Sequence, residues 1–268
     1  MKHTLLTLCL LLGLLALAAK SGQITCSGST TVLPIAQAAA EAFMDKYPEI
    51  NISVRGGGSG VGIAALQNGT VQIANSSRPI KSKELSASKA RGINPTAYAI
   101  ANDGIAIVVH KNNPVKNLSV AQIRDIYTGK IKNWSEVGGP NLPIVVISRD
   151  VASGTFEVFN EKALGGAKVV ATAQLLASNN AVVTTVGTTP GGIGYAGLGY
   201  VTDQVRVVPV ENVVPSEATV KSGTYKLSRK LYMYTNGVAK GDINKFIAFI
   251  QSDAGQAIVK AQGFISLK

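Results

Sequence analysis

Residues 51–79 read NISVRGGGSGVGIAALQNGTVQIANSSRP, and this stretch decides the fold class. "NISVRG" alternates like a strand, "GGSGVG" is a glycine turn, "IAALQNG" carries a helix and "VQIANS" is a strand again. Strand, turn, helix and strand in one short run is the repeating unit of an α/β fold with a largely parallel sheet.

The same grammar extends in both directions. Upstream, "QITCSG" (23–28) predicts a short strand. From Thr31 the apolar residues Ile35, Ala36, Ala39, Ala40, Phe43, Met44 and Tyr47 recur at helical spacing until Pro48. Downstream, 97–110 is an extended apolar stretch with a break expected at Asp103-Gly104, followed by a helix at "SVAQIRDIYTG" and a strand at "PIVVIS". The stretch 148–155, "SRDVASGT", then enters a helix. "GGIGYAGLGYV" predicts strand and turn, "KLSRKLYMYTNG" a second long extended segment, and "INKFIAFIQSD" and "AGQAIVKAQG" two closing helices. Long extended segments near 100 and 230 suit paired crossings between lobes. The expected division is a first lobe of 23–99 and 228–268, with 100–227 inserted as a second lobe.

Composition narrows the function. The chain has 268 residues, 46% of them hydrophobic and 15% charged, which excludes disorder and allows two cores. Its formal charge is +11, from 26 Lys and Arg against 15 Asp and Glu, but the basic residues are dispersed. With no basic helix and no aromatic-interleaved patch, nucleic acid is not an expected partner; the surface merely favours anions. Residues 1–22 carry an early Lys, an apolar run from Leu5 to Leu17 and small residues after it, the pattern of a secretory signal. Once a signal containing Cys9 is removed, Cys26 is the only cysteine, so neither a disulfide nor a cysteine metal cluster is expected. "QIT" before it makes a poor lipoprotein box, and Cys26 reads as a small buried hydrophobe.

Four turns share one character. "SGSTT" (27–31), "GGGSG" (56–60) and "SRDVASGT" (148–155) each enter a helix with hydroxyls, and "NSSRP" (75–79) ends a strand. A helix N-terminus offers unpaired N–H groups and partial positive charge, Ser and Thr add donors, and Gly admits close approach. Any one such Ser or Thr also reads as an ordinary helix cap, and Arg149 also reads as a surface ion pair with Asp150. Together the four turns point to a cleft for a small oxyanion.

"SGSTTVLPIAQ", "GGGSGVGIAALQNGTVQIANSSRPI", "DIYTGKIKNW", "SRDVASGT", "GIGYAGLGYV" and "LSRKLYMYTNG" occur in the order found in periplasmic phosphate-binding proteins of ABC importers, and the chain resembles that family along essentially its whole length. The resemblance implies a two-lobe type II binding-protein fold, inorganic phosphate as ligand, a membrane permease as partner, a monomer, and no metal or organic cofactor. It makes Ser29, Thr30, Thr31, Ser59 and Ser77 contacts from one lobe, and Arg149, Ser153, Gly154 and Thr155 contacts from the other, with Gly58, Arg78 and Asp150 as further candidates. Better-known members carry an Asp where this chain has Ser77, and that carboxylate accepts the proton of bound phosphate. A serine accepts or donates, so discrimination against sulfate is expected to be weaker here, and sulfate, arsenate and molybdate or tungstate remain alternative ligands. An enzyme is not expected. His3 and His110 are the only histidines, no G-x-S-x-G elbow or phosphate-binding P-loop occurs, and "GIGYAG" (192–197) matches G-x-G-x-x-G without a helix after it.

Overall fold

A computed structural model describes residues 22–268. The signal-like segment 1–22 therefore lies outside the described residues except for Gly22, which opens the first strand.

Strands β1 (Gly22–Gly28), β2 (Ile50–Arg55) and β3 (Ile73–Ser76) are joined by helices α1 (Leu33–Lys46) and α2 (Ser59–Gln67) and run parallel, with β1 in the middle. Helix α3 (Ser82–Ala90) then leads into β4 (Pro95–His110), a strand of 16 residues. After α4 (Val120–Tyr127) come β5 (Val145–Arg149), α5 (Gly154–Phe159), β6 (Gln174–Leu176), α6 (Asn179–Thr188), β7 (Gly192–Gly197), β8 (Val205–Val208) and α7 (Glu217–Lys221). Strand β9 (Ser228–Asn236) returns, and α8 (Gly241–Gln251) and α9 (Asp253–Ala261) close the chain. The strand order is β2-β1-β3-β9-β4-β7-β5-β6, with β8 pairing β4.

The sheet is mixed. Its outer strands are parallel, whereas β9 pairs antiparallel with both β3 and β4, because the chain leaves on one long strand and returns on the other. Strand β4 changes partner along its length, from β9 through Gly104↔Ser228 to β7 from Ile105↔Gly197. The expected break at Asp103-Gly104 is absent. The strand runs straight through it because Asp103 is neutralised by Arg229 directly across the ladder, at 2.8 Å. Gly104 lies in the strand where a Cβ would approach Leu198 and Val220 at 3.1 Å.

Separate cores follow from these two halves. Helices α1, α8 and α9 cover β1, β2 and β9 through Ile35, Ala39, Phe43, Phe246, Ile250 and Val259. In the second half of β4, Ile105, Ile107 and Val109 face a core with Tyr127, Trp134 and Phe159, while Ala106 and Val108 face Val182 and Val186 of α6. That strand is buried on both faces, which is why "GIAIVV" is apolar without alternation. Cys26 sits in mid-β1, 1% exposed, as a core residue should; burial pushes its thiol up to about 12. Among the described residues no helix is long and apolar enough to cross a membrane.

Candidate functional site

All four turns lie at the carboxyl ends of strands, where open α/β sheets bind ligands. The turn after β1 is held by Ser29, whose N–H donates to the Asn75 carbonyl at 2.8 Å and whose Oγ accepts the N–H groups of Thr31 and Val32 at 3.1 and 3.3 Å. That leaves the Thr30 and Thr31 side chains to face outward from the strand end, and both are buried.

Two close approaches bring this turn region against the far half of the sheet. Gly58 has φ +100°, and a Cβ there would lie 2.5 Å from the Ala152 carbonyl, which instead accepts the Gly60 N–H at 3.0 Å. Gly154 opens α5 so near the other half that a Cβ would lie 2.3 Å from Ser59 Oγ and 2.8 Å from Ser77 Oγ. No other residue permits this contact without backbone movement. Ser153 caps α5, its Oγ accepting the Phe156 N–H at 3.2 Å.

Arg149 ends β5 and is 1% exposed, not the surface partner of Asp150 that its sequence position also allowed. Its backbone N–H donates to Tyr195 Oη at 3.1 Å, and Tyr195 stacks on Phe159 with centroids 3.9 Å apart, so an aromatic floor fixes the residue. The guanidinium donates from Nε to the Leu176 carbonyl at 3.0 Å and from Nη2 to the Ala177 carbonyl at 2.9 Å and Thr30 Oγ1 at 3.2 Å. Nη1 is buried without a partner. Burial pushes the guanidinium below its ordinary value, yet arginine stays protonated from so high a starting point. Asp150 gives it no ion pair; its Oδ1 accepts the Ala152 N–H at 2.9 Å and shapes the turn.

Around Arg149 the predicted hydroxyls converge. Thr31 Oγ1 lies 3.0 Å from Thr155 Oγ1, across the two halves of the molecule. Ser59 Oγ accepts the Ser77 N–H at 3.0 Å and lies 3.3 Å from Ser77 Oγ. Thr30, Thr31, Ser59, Ser77, Arg149, Gly154 and Thr155 thus form one buried cluster. Ser29 and Ser153 belong to its turns, with their hydroxyls turned inward as caps. Arg78 points elsewhere, into paired hydrogen bonds with Glu84 at 2.6 and 2.8 Å and an ion pair with Glu157.

Sequence reasoning missed three contributors. Asn179, the first residue of α6, donates through Nδ2 to Thr30 Oγ1 at 3.1 Å and Thr31 Oγ1 at 3.0 Å. Arg229 of β9, paired with Asp103, donates to Thr31 Oγ1 at 3.2 Å. The Tyr200 hydroxyl donates to the Thr30 carbonyl. Ser178 before the spaced Val182, Val183 and Val186 was the available signal for α6, since a cap precedes an apolar stripe.

Known proteins resemble the chain over most of its length. Residues 16–254 match the PBP superfamily domain. A Bacillus subtilis protein called phosphate-binding protein PstS is 37% identical over 250 residues, covering 91% of this chain and 81% of its own length. A Pseudomonas aeruginosa protein of the same name is 32% identical over 270 residues, covering 92% and 84%. Among solved structures, a Clostridium perfringens phosphate ABC transporter substrate-binding protein with bound phosphate superposes with TM-score 0.86 at 38% identity, over 92% of this chain and 100% of that one. An ABC-type phosphate transport receptor from Vibrio cholerae gives 0.75 at 33% identity, over 90% and 99%.

Proposed function

The chain belongs to the PstS family of phosphate-binding proteins within the PBP superfamily, a family of binding proteins and not enzymes, and from that premise we propose that it captures inorganic phosphate between two lobes and delivers it to the permease of an ABC importer. The lobes are 23–99 with 228–268, and 100–227. Their hinge is the place on β4 and β9 where partners change, at Gly104 and Ser228. The run over residues 1–22 supports export, and a monomer suffices because both halves of the site come from one chain.

One observation carries the reading. Arg149 is a fully buried cation with no carboxylate partner among the described residues and an unpartnered Nη1. Removing a guanidinium from water costs several kcal/mol, so such a charge calls for a counter-ion. Thr30 touches its guanidinium, Thr155 joins the same turn through Thr31, and Ser59 and Ser77 lie against Gly154 at the start of α5, so further donors stand in the same cluster. Charge-assisted hydrogen bonds contribute roughly 1.5–3 kcal/mol each, so several reach the about −8 kcal/mol of micromolar binding. Donors from both lobes reward closure, because only the closed form engages both sets.

A thermal-shift panel of oxyanions tests this. Phosphate should raise the melting temperature with concentration according to mass action. A chain stabilised by molybdate or sulfate and indifferent to phosphate would overturn it. Ser77 in place of a carboxylate favours one variant of the reading, in which sulfate and arsenate also register.

A further inference from the structure

Asn179 makes a contact whose consequence lies in the direction of protons. Its Oδ1 accepts the Gly197 N–H at 3.3 Å, which fixes which end of the amide is nitrogen. Nδ2 then gives one hydrogen to Thr30 Oγ1 and the other to Thr31 Oγ1. A hydroxyl oxygen has two lone pairs and one hydrogen. Thr30 Oγ1 receives Asn179 Nδ2 and Arg149 Nη2, so both lone pairs are filled and its hydrogen must point away as a donor. Thr31 Oγ1 receives Asn179 Nδ2 and Arg229 Nη2, so its hydrogen has one recipient, Thr155 Oγ1. Thr155, having accepted that hydrogen, is left with its own to donate.

We propose that Asn179 is a positioning residue that locks Thr30 and Thr155 as donors, so that the site prefers a tetrahedral anion whose facing oxygens carry no proton. The inference rests on the oxyanion reading of this site and sharpens it to a protonation state. Beside the locked donors stands Arg149 with its unpartnered Nη1. The Ser59–Ser77 hydroxyl pair, 3.3 Å apart, is different, because either oxygen can donate and its hydrogens can reverse. The single hydroxyl of a hydrogen phosphate dianion fits that corner, while dihydrogen phosphate must set its second proton against a donor. The charged and titratable groups around the threonines and Arg149 are Arg229, Asp103, Asp150 and the Tyr195 and Tyr200 hydroxyls; Asp103 is committed to Arg229 at 2.8 Å and to the Leu198 N–H at 3.0 Å, and Asp150 Oδ1 accepts the Ala152 N–H at 2.9 Å. Neither carboxylate hydrogen-bonds Thr30, Thr31 or Thr155 among the described residues.

Titration calorimetry of inorganic phosphate and of sulfate, above and below the second ionisation of phosphate, tests the proposal. Wild type should bind phosphate more tightly on the alkaline side, while sulfate, unprotonated throughout, stays level and reports any titration of the protein itself. Asn179→Asp keeps the shape but offers oxygen where nitrogen stood, so Thr30 and Thr31 turn their hydrogens toward it. Sulfate affinity should then fall about a hundredfold, phosphate less, and the pH slope should reverse in favour of the protonated form. The new carboxylate is buried, and its desolvation is offset in part by the first turn of α6 and by the Arg149 guanidinium that shares Thr30 Oγ1. Asn179→Ala, which frees both hydroxyls to rotate, should flatten the slope with only a several-fold loss. Melting without anion confirms that each variant is folded. Loss of both anions by one common factor, with the slope unchanged, would make Asn179 merely structural and overturn the inference alone. A wild-type chain that binds neither anion would overturn the oxyanion reading as well.

Discussion

Arg78 and Arg149 both stand at the end of a strand, and both are buried, at 3% and 1% exposure. Yet they are provided for in opposite ways. Arg78 has Glu84 in paired hydrogen bonds and Glu157 at Nε, with Lys81 joining Glu157 at 3.0 Å. Arg149 has two carbonyls, one hydroxyl and an idle Nη1. A buried cation given carboxylates is neutralised within the fold, whereas one given only neutral oxygens stays uncompensated there, which is what the proposed function builds on. Arg229 stands between these cases: Asp103 neutralises it, and its Nη2 still reaches Thr31. In all three the folded state carries the cost of desolvating the charge, and under the proposed function Arg149 is the one whose counter-ion comes from outside the chain.

The sharpest way to break the comparison is Arg149→Met. Phosphate affinity should fall about a hundredfold or more in calorimetry, since charge-assisted bonds are lost, and anion-free stability should hold or rise because an unpaired buried charge has gone. Arg78→Met should do the reverse. It strips Glu84 of its arginine and leaves Glu157 only Lys81, and denaturant titration should show a loss of about 1–3 kcal/mol, reduced from a deeply buried pair by the exposure of the glutamates.

A smaller effect sharpens the same contrast through pH. Burial alone would raise the Glu84 carboxyl, but hydrogen bonds from Arg78 and Lys81, with the charge of Arg78, hold it below the usual carboxylate range. A depressed folded value means that its contribution is complete above the unfolded carboxylate value, about 4.3, and is lost as pH falls through the folded one. Denaturation midpoints of wild type should therefore drop in acid more steeply than those of Glu84→Gln. The smallest expected effect is at Lys130, an exposed residue 3.4 Å from Asp125. Lys130→Ala should leave affinity unchanged and stability within about 0.5 kcal/mol, as exposed ion pairs contribute little.

How much of this was legible depends on the distance over which each feature is encoded. The α/β class, the two long crossing strands and the hydroxyl-bearing turns are local patterns, and on those turns it was the family resemblance that singled out Thr30, Ser59 and Thr155. The partnership of Asp103 with Arg229 spans 126 residues, so Asp103-Gly104 read as a break when it is the middle of a strand. The same range hid Asn179, whose threonine partners lie 149 and 148 residues away. Short elements such as β6 and β8 escaped because strands of three and four residues carry too little alternation to stand out. The division of labour among serines was also illegible. Ser29 and Ser153 cap while Ser59 and Ser77 face each other, and only the backbone path decides between them.

The most direct test of Arg149 as the waiting charge is a crystal structure of the chain grown with phosphate. A tetrahedral anion within hydrogen-bond distance of Arg149 Nη1 and of the Thr30 and Thr155 hydroxyls is the predicted result. An anion bound elsewhere, or a guanidinium found paired with a carboxylate, would contradict it.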